Sequence, residues 1–198
     1  EVIRLLRTFD PMELRNSVVT FLALKAARAA SLAAVLTGDA ADELFAGYSF
    51  MFNAPEQDIP HHVRRMNDVM RFSSIPMGAA LSVKAELPFL DKTVRAFALT
   101  LTAADLVGER DGCRFGKKIL RQAFAPLLPE EITVRVKTPI EYGSGSTKLA
   151  RVMTESVSDQ EFESARQDVA QSDGVRLRDK EQYFYYRFYR QIFPPPHE

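Results

Sequence analysis

An α/β fold built on a parallel sheet is what this sequence of 198 residues predicts, and three observations predict it. The first is Leu32 to Tyr48, LAAVLTGDAADELFAGY. Its apolar run Leu32–Leu36 stops at Thr37-Gly38 and empties into Asp39, Asp42 and Glu43. That is the layout of a buried parallel strand with a functional loop at its carboxyl end, the edge at which open α/β sheets bind ligands. The second is the long helical pattern just before it, which makes half of a βαβ unit whose first strand is not in this chain. The third is local charge. Residues 1–60 hold five Lys/Arg and eight Asp/Glu, and residues 110–151 hold nine and four. An acidic and a basic region in one domain suit a metal–phosphate ligand between them. They suit ordinary internal salt bridging equally well.

Composition bounds the rest. Apolar residues make up 46% of the chain, enough for a globular core. The 26 basic and 26 acidic residues cancel, so no overall charge draws the protein to nucleic acid or to a membrane surface. Cys113 is the single cysteine, which rules out an internal disulfide and a cysteine-rich metal site. That usage predicts a cytoplasmic protein. No apolar run reaches membrane-span length and no signal peptide is visible. The chain opens at Glu1 on a helical pattern, which reads as the middle of a protein.

Taken in order, Glu1–Thr8 is a short helical piece with Val2, Ile3, Leu5 and Leu6 apolar. Asp10-Pro11-Met12-Glu13 is a helix start: Asp10 can cap, Pro11 suits the first position, and Glu13 suits a capping box. The helix runs to about Ala30, with Leu14, Val18, Phe21 and Leu22 as its buried stripe. The strand follows. Its three acids repel one another unless a cation sits among them, and Mg²⁺ is the usual cation for oxygen ligands beside phosphate. The same acids also suit the first turn of a helix.

Beyond Tyr48, residues Asn53–Pro60 read as a surface loop and His61–Phe72 as a helix with Val63, Met66 and Met70 on one face. Adjacent His61 and His62 point to different sides and make no metal pair. Ile75–Val83 is a short helix. Lys84–Asp91 reads as a loop presenting Glu86 in apolar company, with Asp91 capping a helix to about Leu101 whose Val94, Phe97, Ala98 and Leu101 face inward. Gly108–Arg114 reads as a polar loop.

Lys117 opens a helix to Ala125 with Ile119, Leu120 and Phe124 buried. A lysine there opposes the macrodipole unless an anion is bound. Leu128–Ile132 is a turn. Arg135 and Lys137, followed by the Gly/Ser loop Tyr142–Thr147, form a phosphate-binding candidate. Thr147–Ser158 and Asp159–Ser172 are polar or amphipathic helices. Asp179–Phe193 is an aromatic helix suited to a core, with base stacking beside Arg187 and Arg190 as the alternative. Pro194–Pro196 ends the fold.

The set LTGDAADELFAGY, ELPFLD, GKKILRQAF with LPEEI, and RVKTP resembles the synthetase domain of asparagine synthetase. TFDPMELRNSVVTFLALKAA resembles the segment that precedes that family's acidic loop, and the likeness runs from about Thr8 to Lys148. The variant PIEYGSGSTKL resembles short archaeal-type members and the related β-lactam synthetases. The resemblance implies an α/β, adenine-nucleotide α-hydrolase-like (PP-loop ATPase) domain over residues 1–198. Its helix-rich C-terminal part and one or few parallel strands would lie in this chain, with 159–198 as a helical extension of the same domain.

It implies ATP and Mg²⁺ as cofactors, adenylylation of aspartate or a similar carboxylate, and attack by ammonia from a glutaminase domain or subunit. A homo-oligomer is compatible with it. Thr37, Gly38 and Lys117 would meet ATP or its pyrophosphate, and Asp42 would ligate Mg²⁺. Asp39, Glu86 and Lys137 would serve catalysis. Two departures stand out. Ala40 replaces a usual Gly, at a cost of about 1 kcal/mol if positive φ is needed there. The family's Ser-Gly-Gly-x-Asp-Ser pyrophosphate loop and its glutaminase lie upstream of anything in this chain, so the chain alone is expected to be inactive. A non-catalytic relic or partner-binding subunit and a cyclising ligase are the alternative readings.

Overall fold

A computed structural model describes residues 1–195; Pro196, the last residue of the predicted proline stop, lies outside the described residues. The chain forms two compact units. Residues 1–34, 73–84 and 138–198 make the first, and residues 35–72 and 85–137 make the second.

The first unit is helical. Asp10 caps the helix Pro11–Ala29 through the Glu13 amide at 3.0 Å, as its sequence predicts. The buried stripe differs from the expected one: Leu14, Ser17, Phe21 and Leu24 face inward while Leu22 is exposed. A helix repeat of 3.6 residues accommodates either set, and packing chooses between them. The aromatic helix Lys180–Ile192 is a core element. Tyr186 and Tyr189 are buried, and Phe9 meets both rings edge-on. The segment from Asp159 to the last described residue thus packs with the chain's opening helix in one unit. Arg15 bridges Glu181 at 2.6 Å and Glu141 at 3.4 Å within it.

The second unit carries the loop after Leu36. Its core gathers Leu44, Phe45, Met51, Ile59, Val63 and Leu106. Ile59 is fully buried at the start of the helix Ile59–Val69, so the predicted loop Asn53–Pro60 ends earlier than expected. Strands β1 (Ala34–Leu36) and β2 (Lys84–Glu86) pair. Lys84 N donates to Ala33 O and Thr37 N to Glu86 O, so residue numbers rise together and the pair is parallel. Two expectations need correction here. Glu86 ends a strand rather than sitting in a loop. The strand before Thr37 is not buried either: Leu32 is 52% and Leu36 78% exposed. Among the described residues β2 is the one sheet neighbour of β1.

The predicted polar loop at Gly108–Arg114 is a hairpin of β3 (Gly108–Arg110) and β4 (Cys113–Phe115). Asp111 and Gly112 both have positive φ, 53° and 74°, the two-residue turn that matches strand twist. Asp-Gly between short segments is the signal that identifies such a hairpin. Phe97 and Phe124, expected inside, are exposed, whereas Ala98 and Leu101 are buried as predicted.

Candidate functional site

The loop leaving β1 turns sharply at Ala40, which is fully buried with φ 73°. A Cβ in the left-handed region crowds the backbone, at about 1–2 kcal/mol. That turn starts the short helix Ala41–Leu44, which puts Asp42 and Glu43 in its first turn. Consecutive helical residues diverge by about 100°. Glu43 therefore turns inward and accepts a 2.5 Å hydrogen bond from the Tyr48 hydroxyl. Asp42 turns the other way, onto two lysines.

Lys137 Nζ donates to Asp42 Oδ2 at 2.8 Å. Lys117 Nζ lies 2.9 Å from Asp42 Oδ1, an ion pair rather than an aligned hydrogen bond. Burial pushes the Asp42 carboxyl up, but the two ammoniums together outweigh it and hold the group below its ordinary range. The side chains of Lys117 and Lys137 are 26% and 34% exposed, so both can reach a ligand in solvent. The three groups carry one net positive charge.

Close backbone approach builds this cluster. Gly47 N donates to Asp42 O, and a Cβ at Gly47 would lie 1.9 Å from Asp42 Oδ1 and 2.6 Å from Lys117 Cε. Lys117 N donates to Phe45 O, and a Cβ at Gly116 would lie 1.8 Å from Ala46 O. Lys117 itself has φ 60° and Ala46 has φ 53°. Two left-handed non-glycine residues thus sit where the two loops meet.

Arg121 ties the lysine-bearing segments together. Its guanidinium donates to Gly116 O at 3.1 Å, Thr133 O at 2.6 Å and Arg135 O at 2.9 Å. One side chain thereby fixes the residue before Lys117 and the irregular stretch that carries Lys137. Sequence reading missed Gly47, Tyr48, Gly116 and Arg121. The AGY and FGK tripeptides held the glycine signal, while no local pattern marks Arg121, whose partners are main-chain oxygens.

The remaining candidates sit at the strand ends. Thr37 is half-buried with its amide on Glu86 O, so backbone pairing brings Thr37 and Glu86 together. Gly38 is exposed, and half-buried Asp39 has its amide 3.5 Å from Thr37 Oγ1. The expected gathering of Asp39, Asp42 and Glu43 around a cation does not occur. Lysines neutralise Asp42 and a phenol satisfies Glu43. Among the described residues no three His, Cys, Asp or Glu side chains are grouped to hold a metal ion. With both Asp42 oxygens on ammonium groups, these residues do not by themselves fit a Mg²⁺ site. Two ammonium groups on one carboxylate leave the cluster with a net positive charge, which attracts an anion. The Gly/Ser loop Tyr142–Thr147 falls in the first unit and Lys137 in the second. Cys113 is exposed, and His62 meets the Phe50 ring edge-on. No helix among the described residues is long and apolar enough to cross a membrane.

Comparison with known proteins bears on what this site serves. The family model described as asparagine synthase matches residues 1–77 and 65–198. Asparagine synthetase B [glutamine-hydrolyzing] of Escherichia coli K12 is 29% identical over 99% of this chain and 36% of its own length. The maize (Zea mays) asparagine synthetase is 27% identical over 98% of this chain and 35% of its own length. A probable asparagine synthetase of Schizosaccharomyces pombe is 29% identical over 98% and 37%. The chain spans about a third of the length of these curated relatives.

Proposed function

The chain belongs to the asparagine synthase family, and on that premise we propose that its Asp42–Lys117–Lys137 site serves ATP-dependent amide-bond formation through an acyl-adenylate. The observation that carries this reading is the pair of ammonium groups held within 3 Å of one carboxylate, beside the loop that leaves a parallel strand. In the adenylylation step, a side-chain carboxylate oxygen of aspartate bonds to the α-phosphorus of ATP, and the bond to pyrophosphate breaks. Negative charge builds on the bridging oxygen and on the leaving pyrophosphate. Lys137 and Lys117 swing from Asp42 to meet it, a stabilisation that grows as the bond breaks. Before the anion arrives, Asp42 gathers both ammonium groups at one point of the site.

Ammonia then attacks the acyl carbon, AMP leaves, and the amide forms. Gly38 offers main-chain groups and Thr37 its hydroxyl to the nucleotide at the end of β1, where ligands bind in open sheets. Asp39, in the loop after β1, and Glu86, at the end of β2, serve the adenylylation step and take up the proton lost by ammonia. The ammonia comes from glutamine hydrolysis elsewhere, in keeping with the glutamine-hydrolysing relatives.

Labelled pyrophosphate should exchange into ATP in an aspartate-dependent way in the intact protein, and Lys137→Ala should lower that exchange far more than it weakens ATP binding. Equal loss of both would assign Lys137 to ground-state binding. Nucleotide binding with no exchange would make the site a non-catalytic binding module, and exchange with a different carboxylate would move it toward the cyclising ligases.

A further inference from the structure

Lys137 has two restraints in the second unit, and they differ in kind. One is Asp42, a charged partner that competes directly with any anion the lysine serves. The other is Tyr48, whose ring centroid lies 5.5 Å from Lys137 Nζ. An aromatic ring attracts an ammonium through its quadrupole and carries no net charge. It can therefore keep hold of the lysine after an anion has displaced Asp42.

The ring is itself fixed. Its hydroxyl donates to Glu43 Oε1 at 2.5 Å, and Glu43 is buried in the turn that also presents Asp42. Phe50 stacks against it with centroids 5.6 Å apart and planes 12° from parallel. Burial, followed by the Glu43 hydrogen bond and the nearby Glu43, Asp42 and Asp39 charges, keeps the Tyr48 phenol protonated well above its ordinary range. Lys137 needs such support. It lies in a stretch without regular secondary structure, and a free lysine side chain samples many rotamers.

We propose that Tyr48, anchored through its hydroxyl by Glu43, is a positioning residue that keeps the Lys137 ammonium aimed at the site once an anion has drawn it away from Asp42. The inference rests on the reading of Lys137 as a phosphate contact. Glu43, which the sequence offered as one of three acids around a cation, thereby acts through Tyr48 on Lys137.

The test is residue-resolved acylation of the intact protein by acetic anhydride, comparing Lys137 with exposed Lys92 as internal reference. Loss of the ring removes stabilisation of the ammonium, so Tyr48→Leu should raise Lys137 labelling by about two- to fivefold. Tyr48→Phe and Glu43→Gln, which keep the ring, should fall between wild type and Tyr48→Leu. In the exchange reaction Tyr48→Leu should lower kcat with little change in the KM for ATP, and Tyr48→Phe should recover most of it. Unchanged Lys137 labelling in the ring-deletion variant would overturn the proposal and make Tyr48 a packing residue. If Tyr48→Leu does not fold, Glu43→Gln decides: labelling and kcat both at wild-type values would overturn the anchoring.

Inorganic pyrophosphate added to wild type separates the two readings. Protection of Lys137 supports the phosphate assignment. No protection with the labelling differences intact would sink that assignment and leave the Tyr48–Lys137 contact as structure alone, without a positioning role.

Discussion

Lys137 Nζ meets Asp42 Oδ2 at 2.8 Å across 95 positions of sequence. Lys117 reaches the same carboxylate from its other side. The contact ties the loop after β1 to a segment with no regular structure, and it depends on protonation.

Asp42 titrates below its ordinary value of 3.8 in the folded state because the two ammoniums outweigh burial. A depressed carboxylate contributes stability above its unfolded value and loses it as pH falls through the folded one. The acid limb of unfolding should therefore lie lower in wild type than in Lys117→Met or Lys137→Met. Each variant should lose about 1 kcal/mol or less at neutral pH, since the lysines are partly exposed. Urea midpoints taken from neutral to strongly acidic pH measure this. Coincident acid limbs would mean that the pairing does not persist in solution.

Ala40 combines φ 73° with complete burial. Ala40→Gly relieves about 1–2 kcal/mol of left-handed strain. It forfeits about 0.8 kcal/mol of methyl burial and about 0.5–1 kcal/mol of chain entropy. The expected change in unfolding free energy is thus within about 1 kcal/mol of zero. Ala40→Val adds a branched side chain where neither φ nor space allows it, and should cost about 3 kcal/mol or more. Equilibrium denaturation of both variants checks the pair. A tolerated valine would contradict the turn geometry.

Gly47 admits no side chain. A Cβ there would meet Asp42 Oδ1 at 1.9 Å and the Asp42 backbone at 2.8 Å. Gly47→Ala should lower stability by about 2 kcal/mol and part Asp42 from Lys117. Gly143→Ala, where nothing lies within 4 Å, should be close to neutral. Thermal melts of the two should separate clearly, and equal melts would argue against the close approach.

Arg15 stands between Glu141 and Glu181 in the first unit, and Glu181 is buried. Arg15→Met leaves both carboxylates without their cation, at about 2–3 kcal/mol. Adding Glu181→Gln should restore a good part of that loss, because an amide tolerates burial better than an unpaired charge. A double-mutant cycle by calorimetry measures the coupling, and strictly additive losses would show that the ion pair is not the source.

Local chemistry explains which expectations held. Asp10 and Asp91 cap helices because an N-cap needs only a short acceptor and the next turn's amides. The aromatic helix is core because so many large rings can be buried only against one another. Expectations that required knowing a neighbour fared worse. An apolar run alone suggests burial for β1, yet exposure depends on what covers it. Three nearby acids suggest either a shared cation or the first turn of a helix, and Asp42 and Glu43 take the second course. Helix geometry sends Asp42 to lysines and Glu43 to a phenol. The Asp-Gly signal of the hairpin is weak because its flanking strands are three residues each.

By itself the sequence determined the family, through motifs whose order needs no coordinates, and it named Asp42, Lys117 and Lys137 as residues to watch. Only the tertiary structure decided that these three share one ion cluster. It alone showed that Gly47 and Gly116 make room for the cluster, that Arg121 pins both lysine-bearing segments, and that Tyr48 lies beside Lys137. The physical reason is range. Caps and turns are set by residues a few positions apart, whereas charge pairing and close backbone approach join loops whose sequence separation carries no record of their meeting.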